Sequence, residues 1–229
     1  MQEKFTNNGE IQIQYLIVNH SPDKIPLIII PGAMVSAEDF YNDVIDHLSF
    51  YCIIISVRGL GKSSAPLNGY SKAHLIADVE AVVVEEELKE FYILGHSFGA
   101  SIASAYSLKY SQKVKGLILA DYPPGYPEYS SEWAQMIRKN NPSVSENLVN
   151  GLLNESIHEM FTEALAKCGF NILILKGGNE DSLLKIGFVN KIIKKLPNSS
   201  LKIIDNCGHE MFIEKPKEVL KEIKYFIGA

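Results

Sequence analysis

Cysteine is scarce and unpaired in this sequence: Cys52, Cys168 and Cys207 are odd in number, far apart, and form no CxxC spacing. That excludes a disulfide framework or a cysteine-built zinc cluster and leaves buried, reduced thiols. Long apolar runs are missing too. The longest near the start, IPLIII at 25–30, falls far short of the roughly 20 residues that cross a bilayer. The opening MQEKFTNNGEIQ has no apolar core of a signal peptide. The expectation is a soluble, cytoplasmic chain with no membrane partner. A surplus of positive charge is also absent, since 22 basic and 27 acidic side chains are mixed along the chain for a net charge of −5. With no Lys/Arg stripe to grip a phosphate backbone, nucleic acid is excluded as a partner. There is no internal repeat and no low-complexity segment.

What is present is an alternation. The 229 residues, 46% of them hydrophobic, suffice for one substantial core, so residues 1–229 read as a single domain. Short apolar runs recur: LIII (27–30), CIIISV (52–57), FYILG (91–95), GLILAD (116–121), NILILK (171–176) and LKIID (201–205). Helical patterns separate them over 36–48, 71–88, 98–110, 183–196 and 216–226. Continuous apolar strands alternating with helices predict an α/β fold with a mostly parallel sheet covered on both faces. EIQIQYLIV near the start alternates instead, which predicts an antiparallel edge strand. The segment 122–169 breaks the rhythm. It holds four prolines, the single Trp and no strand run, with helical pieces predicted over 132–139, 145–153 and 156–167. This reads as a short helical cap over the carboxyl end of the sheet, where open α/β sheets bind ligands.

The chemistry starts at Gly95-His96-Ser97-Phe98-Gly99, a G-x-S-x-G between a strand pattern and a helix pattern. That context is the one a nucleophile elbow requires. A turn this tight strains the backbone at Ser97 and leaves no room for side chains two residues away on either side. The helix N-terminus then points N–H groups at whatever Ser97 carries.

A serine hydroxyl needs a base. Of six histidines, His209 follows the last strand pattern in NCGHEMFIEKP, which places it at the same carboxyl edge as Ser97. His47 and His74 fall in helical patterns, the His96 side chain should point away from the serine, and His158 lies in the cap. The base needs an acid to fix its tautomer. The turn after NILILK offers Asp181, the preferred candidate for its place just before the next helix, with Glu180 as competitor and Asp121, ending the preceding strand, as third. Oxyanion donors are expected from Phe98 N–H and Ala33 N–H. Met34, Tyr126, Trp133, Met136 and Met211 are the candidate substrate-binding residues. GKS at 61–63 lacks the glycine five residues earlier that a phosphate loop needs, Ser56 standing there. Arg58 nearby reads as a structural hydrogen-bond donor under the site.

These stretches together, PGAMVSAEDF (31–40), SVRGLGKSS (56–64), GHSFG (95–99), GLILAD (116–121), KGGNED (176–181) and CGHEMFIEKP (207–216), resemble the α/β-hydrolase fold family, in particular small bacterial serine hydrolases. The resemblance covers nearly the whole chain outside the cap. Two positions depart from the family's usual pattern: Pro31 stands where the first loop has His, and Ser56 where the second has Asp. The resemblance implies Ser97 as nucleophile, His209 as base and an acid in the 178–181 turn. The expected activity is hydrolysis of carboxylic ester or thioester bonds of small, largely apolar substrates, with no metal or organic cofactor. The same three residues could serve a non-hydrolytic or carbon–carbon-cleaving enzyme. A ligand-binding protein with a vestigial site is a third reading.

Overall fold

The computed structural model describes residues 1–229. In chain order the elements are β1 (Gln2–Asn8), β2 (Ile11–Val18), β3 (Leu27–Ile30), α1 (Ala37–Val44), β4 (Cys52–Ser56), α2 (Lys72–Glu85), β5 (Phe91–His96), α3 (Phe98–Lys109) and β6 (Val114–Ala120). Then come β7 (Gly125–Tyr126), α4 (Ser131–Asn140), α5 (Glu146–Glu155), β8 (Glu159–Met160), α6 (Thr162–Leu165), β9 (Asn171–Gly177), α7 (Ile186–Lys195), β10 (Ser199–Ile204), α8 (Met211–Glu214) and α9 (Pro216–Ile227).

Eight strands form one sheet in the order β1-β2-β4-β3-β5-β6-β9-β10. Pairings from β4 through β3, β5, β6 and β9 to β10 are parallel, while β1–β2 and β2–β4 are antiparallel. This corrects one expectation: EIQIQYLIV forms β2, which lies one strand inside the edge. The edge is β1, whose QEKFTNN buries little beyond Thr6, so it has no apolar face by which to announce itself.

Because side chains alternate along a strand, each continuous apolar run feeds two cores. Ile28, Ile53, Ile93, Leu117 and Ile172 face one cluster with α2, α3 and α7. Leu27, Cys52, Leu94, Ile118 and Leu173 face the other, with α1, α8 and α9. Local signals set the helix starts. Ser36 and Asp39 form a reciprocal capping box on α1, and Pro216 opens α9, which closes at Gly228 in a left-handed conformation.

Between β6 and β9 the chain leaves the sheet. Two helices, α4 and α5, match the predicted pieces, but 156–167 holds the two-residue strand β8, paired antiparallel with β7, and only one helical turn, α6. The excursion is tied down by Glu155 at the end of α5. Its carboxylate accepts the backbone N–H groups of Gly69, Tyr70 and Ser71, at 2.8, 2.9 and 2.9 Å, just before α2.

Candidate active site

Ser97 sits between β5 and α3 with φ 53° and ψ −125°, a conformation that costs on the order of 1–3 kcal/mol for a residue with a side chain. The two glycines permit it. A Cβ on Gly95 would stand 2.2 Å from the Gly99 carbonyl oxygen, and one on Gly99 would stand 2.0 Å from that of Ile30. Met34 and Asp121, at φ 67° and 51°, are also left-handed, so strained backbone collects on the three loops that meet here.

Those loops bring a hydrogen-bonded chain together. His209 Nε2 lies 3.0 Å from Ser97 Oγ, and His209 Nδ1 lies 2.8 Å from Asp121 Oδ2. Asp121 therefore corrects the choice of Asp181. Asp181 is exposed, its carboxylate lying over the backbone of Gly208, and Glu180 is exposed as well. The reason is the turn after β9. It folds back so that its N–H groups, rather than its carboxylates, point at the histidine's partner: Asp121, fully buried, accepts from Gly177 N–H (3.1 Å), Leu183 N–H (2.9 Å) and the Ser182 hydroxyl (2.6 Å). Burial alone would raise the Asp121 pKa, but the donors His209, Ser182, Gly177 and Leu183 outweigh it and hold the carboxyl below the usual aspartate value.

His96 does point away from the serine, and its ring supports the neighbouring loop. Its Nε2–H donates to the His209 carbonyl at 2.9 Å, and the two rings lie 5.0 Å apart. Burial, together with the nearby His209, pushes the His96 pKa down to about 4, so the ring is neutral at physiological pH. The carbonyl contact fixes its tautomer, because only a protonated ring nitrogen can donate there. Gly208 N–H donates to Glu214 Oε2 on α8 at 2.8 Å, fixing the histidine loop from the other side. The support that His96 gives the His209 loop, and Glu214 altogether, escaped sequence reasoning; their closeness in sequence to Ser97 and His209 was the available signal.

The two N–H groups named as candidate oxyanion donors are both without an intramolecular acceptor. Phe98 opens α3, so its N–H has no intrahelical acceptor. Ala33 N–H has no intramolecular partner either. The loop that carries it lies against the serine, since a Cβ on Gly32 would come 3.3 Å from Ser97 Cβ.

The candidate substrate-binding residues divide. The Phe98 ring packs 5.9 Å from Tyr126 and 5.7 Å from Tyr129, and Tyr129 stacks 3.9 Å from Trp133. These aromatics join the cap to Phe98, the residue that follows Ser97. Met34 borders a cavity of about 330 Å³ between the α1 start, the 59–65 loop and the cap. Met136 is exposed on the outer face of α4, and Met211 is wholly buried in the core on the far side of the sheet. On α4 the one buried residue is Ala134, and α8 packs under α1. Arg58 is the structural donor expected. It is buried, bonded through Nε and Nη2 to both oxygens of Asp78 at 2.8 and 2.6 Å and through Nη1 to the Gly69 carbonyl. Ser56, in the position where the family has Asp, accepts Ala37 N–H at 2.8 Å and holds the start of α1. No three His, Cys, Asp or Glu side chains are grouped to share a metal ion.

A strained serine at a strand-to-helix turn, facing a histidine that faces a buried carboxylate, belongs to the α/β class of hydrolase-like proteins. The chain belongs to the alpha/beta hydrolase fold family, whose model matches residues 25–157. Among curated relatives, it is 20% identical over 281 positions to monoacylglycerol lipase ABHD6 of Mus musculus, covering 100% of this chain and 83% of that one. It is 19% identical to a putative 2-succinyl-6-hydroxy-2,4-cyclohexadiene-1-carboxylate synthase of Bacillus subtilis, covering 95% and 96%. Among solved structures, the esterase RhEst1 from Rhodococcus superposes with a TM-score of 0.83 at 20% identity, covering 100% and 99%. At such identity the likeness shows the fold. No helix is long and apolar enough to cross a membrane.

Proposed function

We propose that the chain is a cytoplasmic serine hydrolase of carboxylic ester or thioester bonds in small, largely apolar substrates, working without a cofactor. The observation that carries this reading is the continuous Ser97–His209–Asp121 hydrogen-bonded chain, with its 3.0 and 2.8 Å contacts. Ser97 Oγ attacks the acyl carbon while His209 Nε2 takes its proton, and the ionised Asp121 stabilises the imidazolium. The negative charge on the carbonyl oxygen is met by the N–H groups of Phe98 and Ala33. His209 then protonates the leaving alcohol or thiol, and water, activated by the same ring, releases the acid from Ser97. The esterase and lipase names among the relatives support the hydrolytic reading.

The test is hydrolysis of p-nitrophenyl acetate by wild type and Ser97→Ala. A loss of about 10³-fold or more is expected; equal rates would remove serine chemistry from the account. A carbon–carbon-cleaving or other non-hydrolytic use of the same residues is favoured by one observation, the buried Tyr126 hydroxyl without a partner, a donor that a multifunctional substrate could engage. Rapid covalent labelling of Ser97 combined with negligible turnover across a panel of simple esters would select that reading.

A further inference from the structure

A buried ammonium stands behind the carboxylate of the site. Lys176 ends β9, is only 6% exposed, and makes no salt bridge. Its Nζ donates to the Gly177 carbonyl and, at 3.4 Å, to Ser182 Oγ. Ser182 Oγ in turn lies 2.6 Å from Asp121 Oδ1 and 3.3 Å from the Leu184 carbonyl.

The protons decide what this arrangement does. A hydroxyl has one proton and two lone pairs, whereas an ammonium only donates. With Lys176 occupying a lone pair of Ser182, the single serine proton is directed at Asp121 rather than at Leu184. A buried cation without a carboxylate of its own is also costly, and the anion that offsets it is Asp121, two hydrogen bonds away. We propose that Lys176 is a positioning residue which acts through Ser182 to keep Asp121 ionised and aimed at His209. The sequence separates the two roles within one turn: the KGGNEDS stretch expected to supply the acid supplies the cation and hydroxyl that hold an acid from the neighbouring strand.

The sign of the effect follows. Removing the Lys176 charge makes Asp121 more basic and removes a cation that disfavours protonated His209, so the imidazolium persists to higher pH. At a separation of three hydrogen bonds, through Ser182 and Asp121, and an effective dielectric constant of about 20, the His209 shift is about one pH unit. The other ionisable groups around the His209 loop are His96 on β5, Asp181 in the β9 turn, Cys207, Glu210, Glu214 on α8 and Lys215, and none of them changes in the test.

The inference rests on the serine-hydrolase reading for its consequence in turnover, but its primary measurement does not need turnover. The His209 ring is titrated by NMR in ¹³C/¹⁵N-histidine-labelled wild type, Lys176→Met, Lys176→Arg and Ser182→Ala, with the acid limb of kcat/KM recorded alongside. The His209 midpoint should rise by about one unit in Lys176→Met, rise in Ser182→Ala, and stay near wild type in Lys176→Arg. Unchanged midpoints in folded Lys176→Met and Ser182→Ala overturn the inference, since a lysine that merely fills space would leave His209 alone. If Lys176→Met does not fold, Lys176→Gln, which keeps a donor and removes the charge, decides in the same way. A shifted midpoint in a protein that hydrolyses no ester would sink the proposed function and leave the Lys176 inference standing.

Discussion

Replacing Asp121 with asparagine keeps the shape of the side chain and removes the charge opposite His209. Asp121 Oδ2 lies 2.8 Å from His209 Nδ1. Two unit charges at that distance in an effective dielectric constant of about 20 attract by roughly 6 kcal/mol, and each 1.36 kcal/mol of transition-state stabilisation corresponds to about tenfold in rate. The Coulomb figure is thus worth about four decades. The asparagine amide can also present its NH₂ to Nδ1, trapping the wrong tautomer of the ring. We expect kcat/KM for p-nitrophenyl acetate at neutral pH to fall by about 10³- to 10⁴-fold, with KM little changed because Asp121 touches no substrate. Asp181→Asn, altering an exposed carboxylate, should stay within about twofold of wild type. Initial rates on both purified variants, each with a wild-type melting temperature, suffice as the assay. An Asp121→Asn enzyme within an order of magnitude of wild type, or a collapse in Asp181→Asn, would refute the assignment of the acid.

Gly99→Ala would drive a methyl to 2.0 Å from the Ile30 carbonyl oxygen, whereas Gly169→Ala meets nothing within 4 Å. The first should lower stability by about 3 kcal/mol or more, a Tm drop of roughly 6–12 °C for a chain of this size, with the second near wild type by calorimetry. Glu155, despite its partial burial, is held below the usual glutamate pKa by the N–H groups of Tyr70, Gly69 and Ser71. A depressed carboxylate contributes stability that is fully present above its unfolded value and lost as pH falls through the folded one. Glu155→Gln should therefore melt earlier than wild type at neutral pH, with the gap closing as the pH falls below the ordinary glutamate pKa of about 4.3; a gap that persists in acid would contradict the electrostatic role of this anchor.

Ser97 and His209 were legible in the sequence because each is fixed by local pattern. One stands where a strand run meets two glycines and a helix, the other in the loop after the last strand, and a parallel sheet gathers both loops at one edge. The carboxylate that meets His209 was not legible to the same degree. The carboxyl ends of β6 and β9 are neighbours, paired through Ala120 and Leu175, so a carboxylate from either can reach the histidine. Which one does depends on where the turn after β9 aims its N–H groups, a tertiary fact that spacing does not encode. The signal for Asp121 was its place at the buried end of GLILAD, where an unpaired carboxylate would be costly. β1 was missed because QEKFTNN carries one apolar residue, the exposed Phe5, and no apolar face, and the helix predicted over 156–167 was too long because β8, paired with β7, takes part of it and leaves only the single turn α6. Met211 shows the reverse error: proximity to His209 in the chain suggested the substrate side, while α8 turns the side chain into the opposite core.

The most direct test of the account is peptide mapping by mass spectrometry after treatment with a fluorophosphonate. The account predicts a single adduct on Ser97, formed much more slowly in Asp121→Asn and absent in Ser97→Ala. An unlabelled Ser97, or labelling that is undiminished in Ser97→Ala, would contradict the claim that this serine is activated through His209.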